Sequence, residues 1–227
     1  DKELYCWGHN NFGELGFDSS SYPPDFRNTP TSVSIPLPNI EWKEVSAGSY
    51  HTCGIISDGT LYCFGHGTSG ELGDGTIFSK GTPTKIGTDK WLKISAGSEY
   101  TCGIKENYAL YCWGTNNEGQ LGIGTSGTSE YKDEPERVGL EEWVEVKTGM
   151  AHACGIKKSD NKLYCWGYNI NGQLGIGSME NKKVPTKVSD GIWSNFNVGR
   201  VHTCGLNESK SLYCWGSNRY GQLGDGT

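Results

Sequence analysis

The most regular apolar–polar pattern in the chain is a two-residue alternation confined to short stretches. Residues 42–48, Trp-Lys-Glu-Val-Ser-Ala-Gly, alternate as a half-buried β-strand does. Two further strand-like stretches follow at 50–56 and 60–65, separated by a Ser-Asp-Gly turn at 57–59. A short stretch at 82–86 contains Pro, which an edge strand tolerates. The pattern predicts four strands in this part of the chain and no amphipathic helix of three turns.

The same arrangement returns about every fifty residues. Each third strand carries the phrase Leu-Tyr-Cys-[Trp/Phe]-Gly, and a Gly-[Glu/Gln]-Leu-Gly tail follows each of the five copies. The cysteines of the phrase are separated by 57, 49, 53 and 49 residues. Four strands in a period of this length are typical of a propeller blade. We therefore expect an all-β propeller built from four-stranded blades.

The repeated string resembles the regulator-of-chromosome-condensation (RCC) repeat. It reads Ala-Gly-x-x-His-Thr-Cys-Gly at 47–54, Leu-Tyr-Cys-Phe-Gly at 61–65 and Gly-Glu-Leu-Gly-Asp-Gly-Thr at 70–76, and it recurs at 96–124, 149–177 and 199–226. The resemblance covers essentially the whole chain and implies seven blades in a complete ring. We expect residues 1–227 to form one partial propeller, with ragged repeats at 1–40 and 190–227, and to be a piece of something longer.

The tryptophans hold two fixed places in the repeat. Four open the first strand of a blade (Trp42, Trp91, Trp143, Trp193), and four close the third (Trp7, Trp113, Trp166, Trp215), where Phe64 replaces one copy. An aromatic side chain at the same place in each blade favours packing against the neighbouring blade. A role in cofactor binding or light absorption is the minor alternative.

Eight of the nine cysteines form four pairs, each within one blade: Cys53 with Cys63, Cys102 with Cys112, Cys154 with Cys165, and Cys204 with Cys214. A three-residue loop at 57–59 would place Cys53 directly opposite Cys63, within reach of a disulfide. The pair Cys154–Cys165 is one residue longer and needs a four-residue or a two-residue loop around 159–160. We expect four disulfides.

The alternatives are reduced, buried cysteines and a metal site, for which the close Cys-x-x-Cys spacing is lacking. Disulfides imply an oxidising compartment, and so an extracellular, secreted or cell-surface protein. Cys6 occupies the second place of a repeat whose first half is missing, and its pairing with an upstream cysteine stays open.

Charge and hydrophobicity limit the possible partners. The net charge of −6 provides no basic face for nucleic acid, and no apolar run is long enough to cross a bilayer. His51, His152 and His202 share one repeat position with Tyr100, which favours a structural role over catalysis. His9 and His66 follow the third strand and show no regular partner. We expect no catalytic residue, no metal site and no cofactor.

Two features indicate contact with other molecules. Asn207-Glu208-Ser209 matches the N-glycosylation acceptor pattern on a hairpin, which suits a glycoprotein. The longest connections between strands carry Tyr22, Phe26, Arg27 and Tyr131, and aromatic residues with Arg are typical interface anchors. The alternative is that these are solvated loops without a partner.

Together these features favour a non-enzymatic extracellular propeller that binds protein or neighbouring copies, as a receptor ectodomain, an adhesin or an appendage component. Members of the family that absorb ultraviolet light carry Trp in a Gly-Trp-Arg-His-Thr motif, which no repeat of this chain contains. Two alternatives stay open: an intracellular RCC-type regulator such as a guanine-nucleotide exchange factor, and a propeller attached to an enzyme outside this segment.

Overall fold

The structure, a computed structural model, describes residues 3–17, 26–35 and 41–227. Every regular element in these residues is a β-strand. The strands are β1 (Leu4–His9), β2 (Phe26–Val33), β3 (Trp42–Ala47), β4 (His51–Ile56), β5 (Thr60–Gly65), β6 (Lys80–Ala96), β7 (Tyr100–Lys105), β8 (Ala109–Thr115), β9 (Tyr131–Thr148), β10 (His152–Lys157), β11 (Leu163–Gly167), β12 (Lys182–Lys187), β13 (Trp193–Val198), β14 (His202–Asn207) and β15 (Leu212–Gly216).

The strands form antiparallel blades in chain order. β1 pairs with β2, strands β3 to β12 form one continuous series, and β13 to β15 form a three-stranded sheet. The series contains three blades because β6 and β9 each serve two of them. Residues 80–90 of β6 pair with β5 as the fourth strand of one blade, and residues 91–96 pair with β7 as the first strand of the next. The result is the propeller architecture that the repeat predicts.

The continuous strands β6 and β9 correct the predicted boundaries. The fourth strand begins at Lys80, ahead of the predicted 82–86, and runs into the next first strand without a break. Gly87 and Gly139 occupy equivalent places in β6 and β9, with φ of 57° and 60°. This left-handed conformation suits glycine, and Gly87 lies in an unpaired bulge of β6 between Lys85 and Lys90, the partners of Tyr62 and Thr60.

The core lies between blades. Trp113 of β8 is fully buried against Leu72 and the cysteines Cys53 and Cys63, which belong to the preceding blade. Its indole Nε1 donates a hydrogen bond of 2.9 Å to the carbonyl oxygen of Glu71, in the tail of that blade. Trp166 and Trp215 make the equivalent bond to the carbonyls of Gln120 and Gln173. The third-strand aromatic residue therefore attaches each blade to its predecessor, as the repeat position predicts.

The cysteine hairpins follow the predicted register. Cys53 lies directly opposite Cys63, and the structure contains the four disulfides Cys53–Cys63, Cys102–Cys112, Cys154–Cys165 and Cys204–Cys214, each with a Cα–Cα distance of 4.1 Å. Gly59 closes the three-residue loop at φ 84°. The longer hairpin adopts a four-residue loop at 158–161, where Asn161 takes the left-handed conformation. Cys6 is a free, half-buried thiol whose pKa burial raises to about 11.

Candidate functional site

A groove of about 950 Å³ lies where four blades converge. It is formed mainly by the segments that join the first strand of each blade to the second. We call it the central groove, and its lining includes Tyr50, Glu99, Glu118, Met150, Tyr168 and Arg200.

A glycine turn repeated in each blade builds this groove. The backbone N–H of Gly48 donates to the carbonyl oxygen of His51 at 2.8 Å, and Gly97, Gly149 and Gly199 make the same bond in their own blades. A Cβ on Gly48 would lie 2.3 Å from the carbonyl oxygen of Gly97, so only glycine fits where adjacent turns pass each other. The backbone turn that builds the groove is therefore the same in these four blades. The two residues after each glycine vary in chemistry: Ser49-Tyr50, Ser98-Glu99, Met150-Ala151 and Arg200-Val201.

Buried polar contacts between blades support the floor of the groove. The ring of His152 contacts the hydroxyl of Thr203 in the next blade, with Nε2 and Oγ1 3.1 Å apart, and that hydroxyl donates to the carbonyl oxygen of Gln173. His51 makes the equivalent contact to Thr101 at 2.8 Å. Burial lowers the pKa of both histidines to about 3, with a smaller contribution from a neighbouring histidine. These imidazoles are neutral hydrogen-bonding partners at neutral pH, consistent with the structural role assigned to this position.

His9, the last residue of β1, and His66, which directly follows β5, do have a regular partner, contrary to the sequence-based expectation. His9 Nδ1 contacts the carboxylate of Glu14, and His66 Nδ1 contacts that of Glu71. Each glutamate also accepts a hydrogen bond from a loop backbone N–H, that of Phe12 or Ser69. In the other three copies the tail residue is Gln and the loop position is Thr, Tyr or Ser. Histidine therefore occurs at this position only in the two repeats whose tail contains glutamate, and this co-occurrence in the sequence could have predicted the contact.

An aromatic cluster lies at one edge of the central groove. The ring of Phe12 packs edge-on against His66 and Tyr50, with centroid distances of 4.7 and 5.4 Å, and His9 lies 6.1 Å from Tyr50. Tyr50 also lines the groove, so the cluster extends its apolar surface toward the first repeat.

Three of the four predicted interaction residues are described, and they lie outside the groove. Tyr22 falls outside the described residues. Phe26 and Arg27 begin β2, and Tyr131 begins β9, so the structure places them in strands rather than in loops. The fourth strand starts earlier than its sequence pattern suggested, because these residues pair with His9, Gly8 and Thr115. Phe26 and Tyr131 are 58% and 45% exposed, and none of the three lines the central groove.

Sequence reasoning missed the groove because its lining residues are about fifty positions apart. The signal that could have found them is variation at two positions inside an otherwise repeated motif. No group of three or more His, Cys, Asp or Glu side chains suited to a metal ion occurs in residues 3–17, 26–35 and 41–227. The same residues contain no helix with the length and hydrophobicity of a membrane span.

Comparisons with known proteins agree with this architecture. The family model of the RCC1-like domain matches residues 1–227. The ultraviolet-B receptor UVR8 of Arabidopsis thaliana is 31% identical over 194 residues, covering 82% of this chain and 42% of UVR8. The human probable E3 ubiquitin-protein ligase HERC4 is 26% identical over 190 residues, covering 82% of this chain and 18% of HERC4.

The crystal structure of Prp20p from Saccharomyces cerevisiae superimposes on the whole chain with a TM-score of 0.87 at 21% identity, and the chain covers 56% of Prp20p. The chain thus spans less than two thirds of the length of each of these three proteins. Sequence and architecture together show that the chain belongs to the family of proteins with an RCC1-like domain.

Proposed function

We propose that this chain is a non-enzymatic, extracellular propeller module that binds a protein partner through the central groove. It would serve in a surface receptor, an adhesin or an assembled appendage. The observation that carries the proposal is the contrast within the groove, where glycine turns are repeated and no two blades carry the same pair of residues after the turn.

The chemistry of the lining supports protein recognition. Tyr50, Met150, Tyr168 and Arg200 are of the residue types enriched at the centres of protein interfaces, and Glu99 supplies a charge of the opposite sign to Arg200. Prp20p, which shares the architecture, is reported with binding properties to Gsp1p and histones. The fold does not identify a partner, so the proposal rests on the groove.

The cysteines support the extracellular part of the proposal. Four disulfides at equivalent places of four blades are typical of proteins that fold in an oxidising environment, since cytosolic thiols are kept reduced. Peptide mass spectrometry of unreduced protein from its native source tests this part. All four within-blade bonds are expected. Free thiols at these positions would instead support an intracellular regulator of the same family.

Site-specific photo-cross-linking tests the binding face. A photoreactive phenylalanine derivative is introduced at Met150, in the groove, and as a control at Leu140, which is 83% exposed and eight residues from Thr148 along β9. At the rise of an extended strand this separation is roughly 25 Å. In cells that normally make the protein, the variant labelled at position 150 should form a cross-linked adduct with the partner. The variant labelled at position 140 should form none.

Substitution of the same face completes the test. Tyr50→Ala should weaken binding of the cross-linked partner by about tenfold, as is usual for an aromatic residue that anchors an interface. Adducts only from position 140 would show that the groove is not the binding face. The same conclusion would follow if the Tyr50→Ala variant and the Arg200→Glu variant both bound the partner with unchanged affinity.

A further inference from the structure

Asn207 ends the second strand of the last described blade and lies on the hairpin closed by the Cys204–Cys214 disulfide. Its side-chain oxygen accepts hydrogen bonds from the Ser209 hydroxyl at 2.8 Å and the Ser211 backbone N–H at 2.9 Å. Both donors approach Oδ1, and no hydrogen bond in the described part of the chain engages Nδ2, the atom that an N-linked glycan would occupy. The acceptor triplet is therefore presented with its reactive nitrogen free.

An aromatic pair lies beside this position in each of the four blades that contain the hairpin. The first-strand Trp and the third-strand Tyr meet edge to face, and for Trp193 and Tyr213 the ring centroids are 6.1 Å apart at 85°. Asn207 is the direct cross-strand partner of Trp193. Tyr213 lies opposite Gly205, two residues earlier on the same face. The side chain of Asn207 thus starts at the edge of this pair.

The equivalent residues in the other blades show what this place accommodates. Lys105 is the partner of Trp91, and its Nζ lies 3.7 Å from the ring centroid of Tyr111. Lys157 takes the same course over Tyr164 at 4.2 Å. Their side chains are only 15% and 14% exposed, and Ile56 fills the place in the second repeat. The Asn207 side chain is too short to reach over the ring of Tyr213 in this way.

We propose that Asn207 carries an N-linked glycan and that its first sugar packs over Trp193 and Tyr213, in the space that a lysine fills in the two preceding blades. The apolar C–H face of an N-acetylhexosamine ring suits an aromatic surface. This inference rests on the proposed extracellular route, because the glycan is added during secretion.

The modification is a substitution at C1 of the sugar and requires no oxidant or reductant. Asn207 Nδ2 attacks C1 of an oligosaccharide linked to a lipid diphosphate, which the secretory pathway supplies. The new N–C1 bond replaces the C1–O bond to the diphosphate, which leaves with the electron pair, and the proton released from Nδ2 passes to solvent. The transfer takes place on the newly made chain, and the sugar docks as the blade folds.

One sample tests both the glycan and the compartment. Protein from the native source is digested without reduction, and the 204–214 peptide is examined before and after treatment with peptide N-glycosidase in ¹⁸O water. We expect a glycan on Asn207 that the enzyme removes, leaving a labelled Asp, together with the disulfide. Ser209→Ala should abolish the glycan, whereas the matched Ser211→Ala, which leaves the acceptor triplet intact, should retain it.

Thermal unfolding tests the packing of the sugar. Enzymatic removal of the glycan should lower Tm by roughly 2–4 °C, the shift expected for about 1 kcal/mol in a chain of this size. In Tyr213→Leu this difference should disappear, and in the control Tyr164→Leu it should persist. Comparing treated and untreated samples of one variant separates the effect of the sugar from that of the substitution.

These measurements distinguish failure of the glycan proposal from failure of the proposed function. An unmodified Asn207 in protein that has all four disulfides would overturn the glycan and leave the proposed function standing. Free thiols with an unmodified Asn207 would overturn both. A glycan whose removal lowers Tm equally in wild type and Tyr213→Leu would overturn the packing over the aromatic pair.

Discussion

Trp113 lies directly over Gly73, so that a Cβ on this glycine would be 2.5 Å from the indole Nε1. Gly73 ends the tail of one blade, and Trp113 closes the third strand of the next. The contact repeats between Gly122 and Trp166 and between Gly175 and Trp215. The absence of a side chain on the last glycine of the tail is therefore what lets neighbouring blades approach closely.

Gly73→Ala should destabilise the protein by about 2–4 kcal/mol, because the methyl group collides with a buried ring and alanine disfavours the positive φ of 76°. The control is Gly172→Ala, at φ 73° with nothing within 4 Å of the added Cβ. It carries only the backbone penalty of about 1 kcal/mol. Urea unfolding of both variants measures the difference, and equal losses would show that the indole contact is unimportant.

The two buried histidines should make the protein sensitive to mild acid. The unfolded chain protonates His152 near pH 6.5, whereas the folded protein does so only near pH 3, since burial disfavours the imidazolium. Between these values protonation favours the unfolded chain. The stability due to the neutral ring is thus fully present above pH 6.5 and is lost as the pH falls toward 3.

His152→Tyr should reduce this dependence, because Tyr100 already occupies the same position in the preceding blade and donates its hydroxyl to a backbone carbonyl. Between about pH 7 and 5.5 the variant should lose roughly 1 kcal/mol less than wild type. Chemical denaturation at several pH values gives the comparison. Carboxylates titrate in both proteins, so parallel pH profiles would contradict the role of His152.

Much of the fold is readable from the sequence because it depends on local spacing. Loop length and the two-residue period together place Cys53 opposite Cys63, and the fixed position of Trp113 predicts its contact with the preceding blade. The continuity of β6 could not be predicted, since it depends on a bulge around one left-handed residue, Gly87, between the paired residues Lys85 and Lys90.

The candidate site was less predictable for a geometric reason. Tyr50 and Arg200 are 150 positions apart and share a groove only because the blades curve around a common axis. The contact between His66 and Glu71 depends on a loop shape that brings residues five positions apart together. Periodicity in strands does not encode that shape.

Removing one disulfide should lower stability without unfolding the blade. The double variant Cys102→Ser with Cys112→Ser opens a loop of ten residues, for which the chain-entropy model gives about 2–3 kcal/mol. Cys6→Ser, at the equivalent place of a repeat without a disulfide in the described residues, is the control and should lose less than 1 kcal/mol. Calorimetry of both variants measures the losses, and a smaller loss for the double variant than for Cys6→Ser would be contrary to this expectation.

The pairing of histidine with glutamate can be tested by importing the sequence of another repeat. Glu71 is fully buried, and its carboxylate contacts His66 and the backbone N–H of Ser69. His66→Thr alone removes one of these partners from a buried carboxylate and should cost about 1–3 kcal/mol. In the next repeat the same two places are Thr115 and Gln120.

The double variant His66→Thr with Glu71→Gln should therefore regain about 1 kcal/mol or more of the loss. Gln needs no cationic or imidazole partner, and Gln120 Oε1 already accepts the corresponding backbone hydrogen bond, from Glu118, at 2.8 Å. A double-mutant cycle by denaturant unfolding at neutral pH supplies the coupling energy between the two positions. If the loss of stability in the double variant equals the sum of the losses measured for His66→Thr and for Glu71→Gln, the two residues act independently. Their co-occurrence in the first two repeats would then reflect something other than their contact.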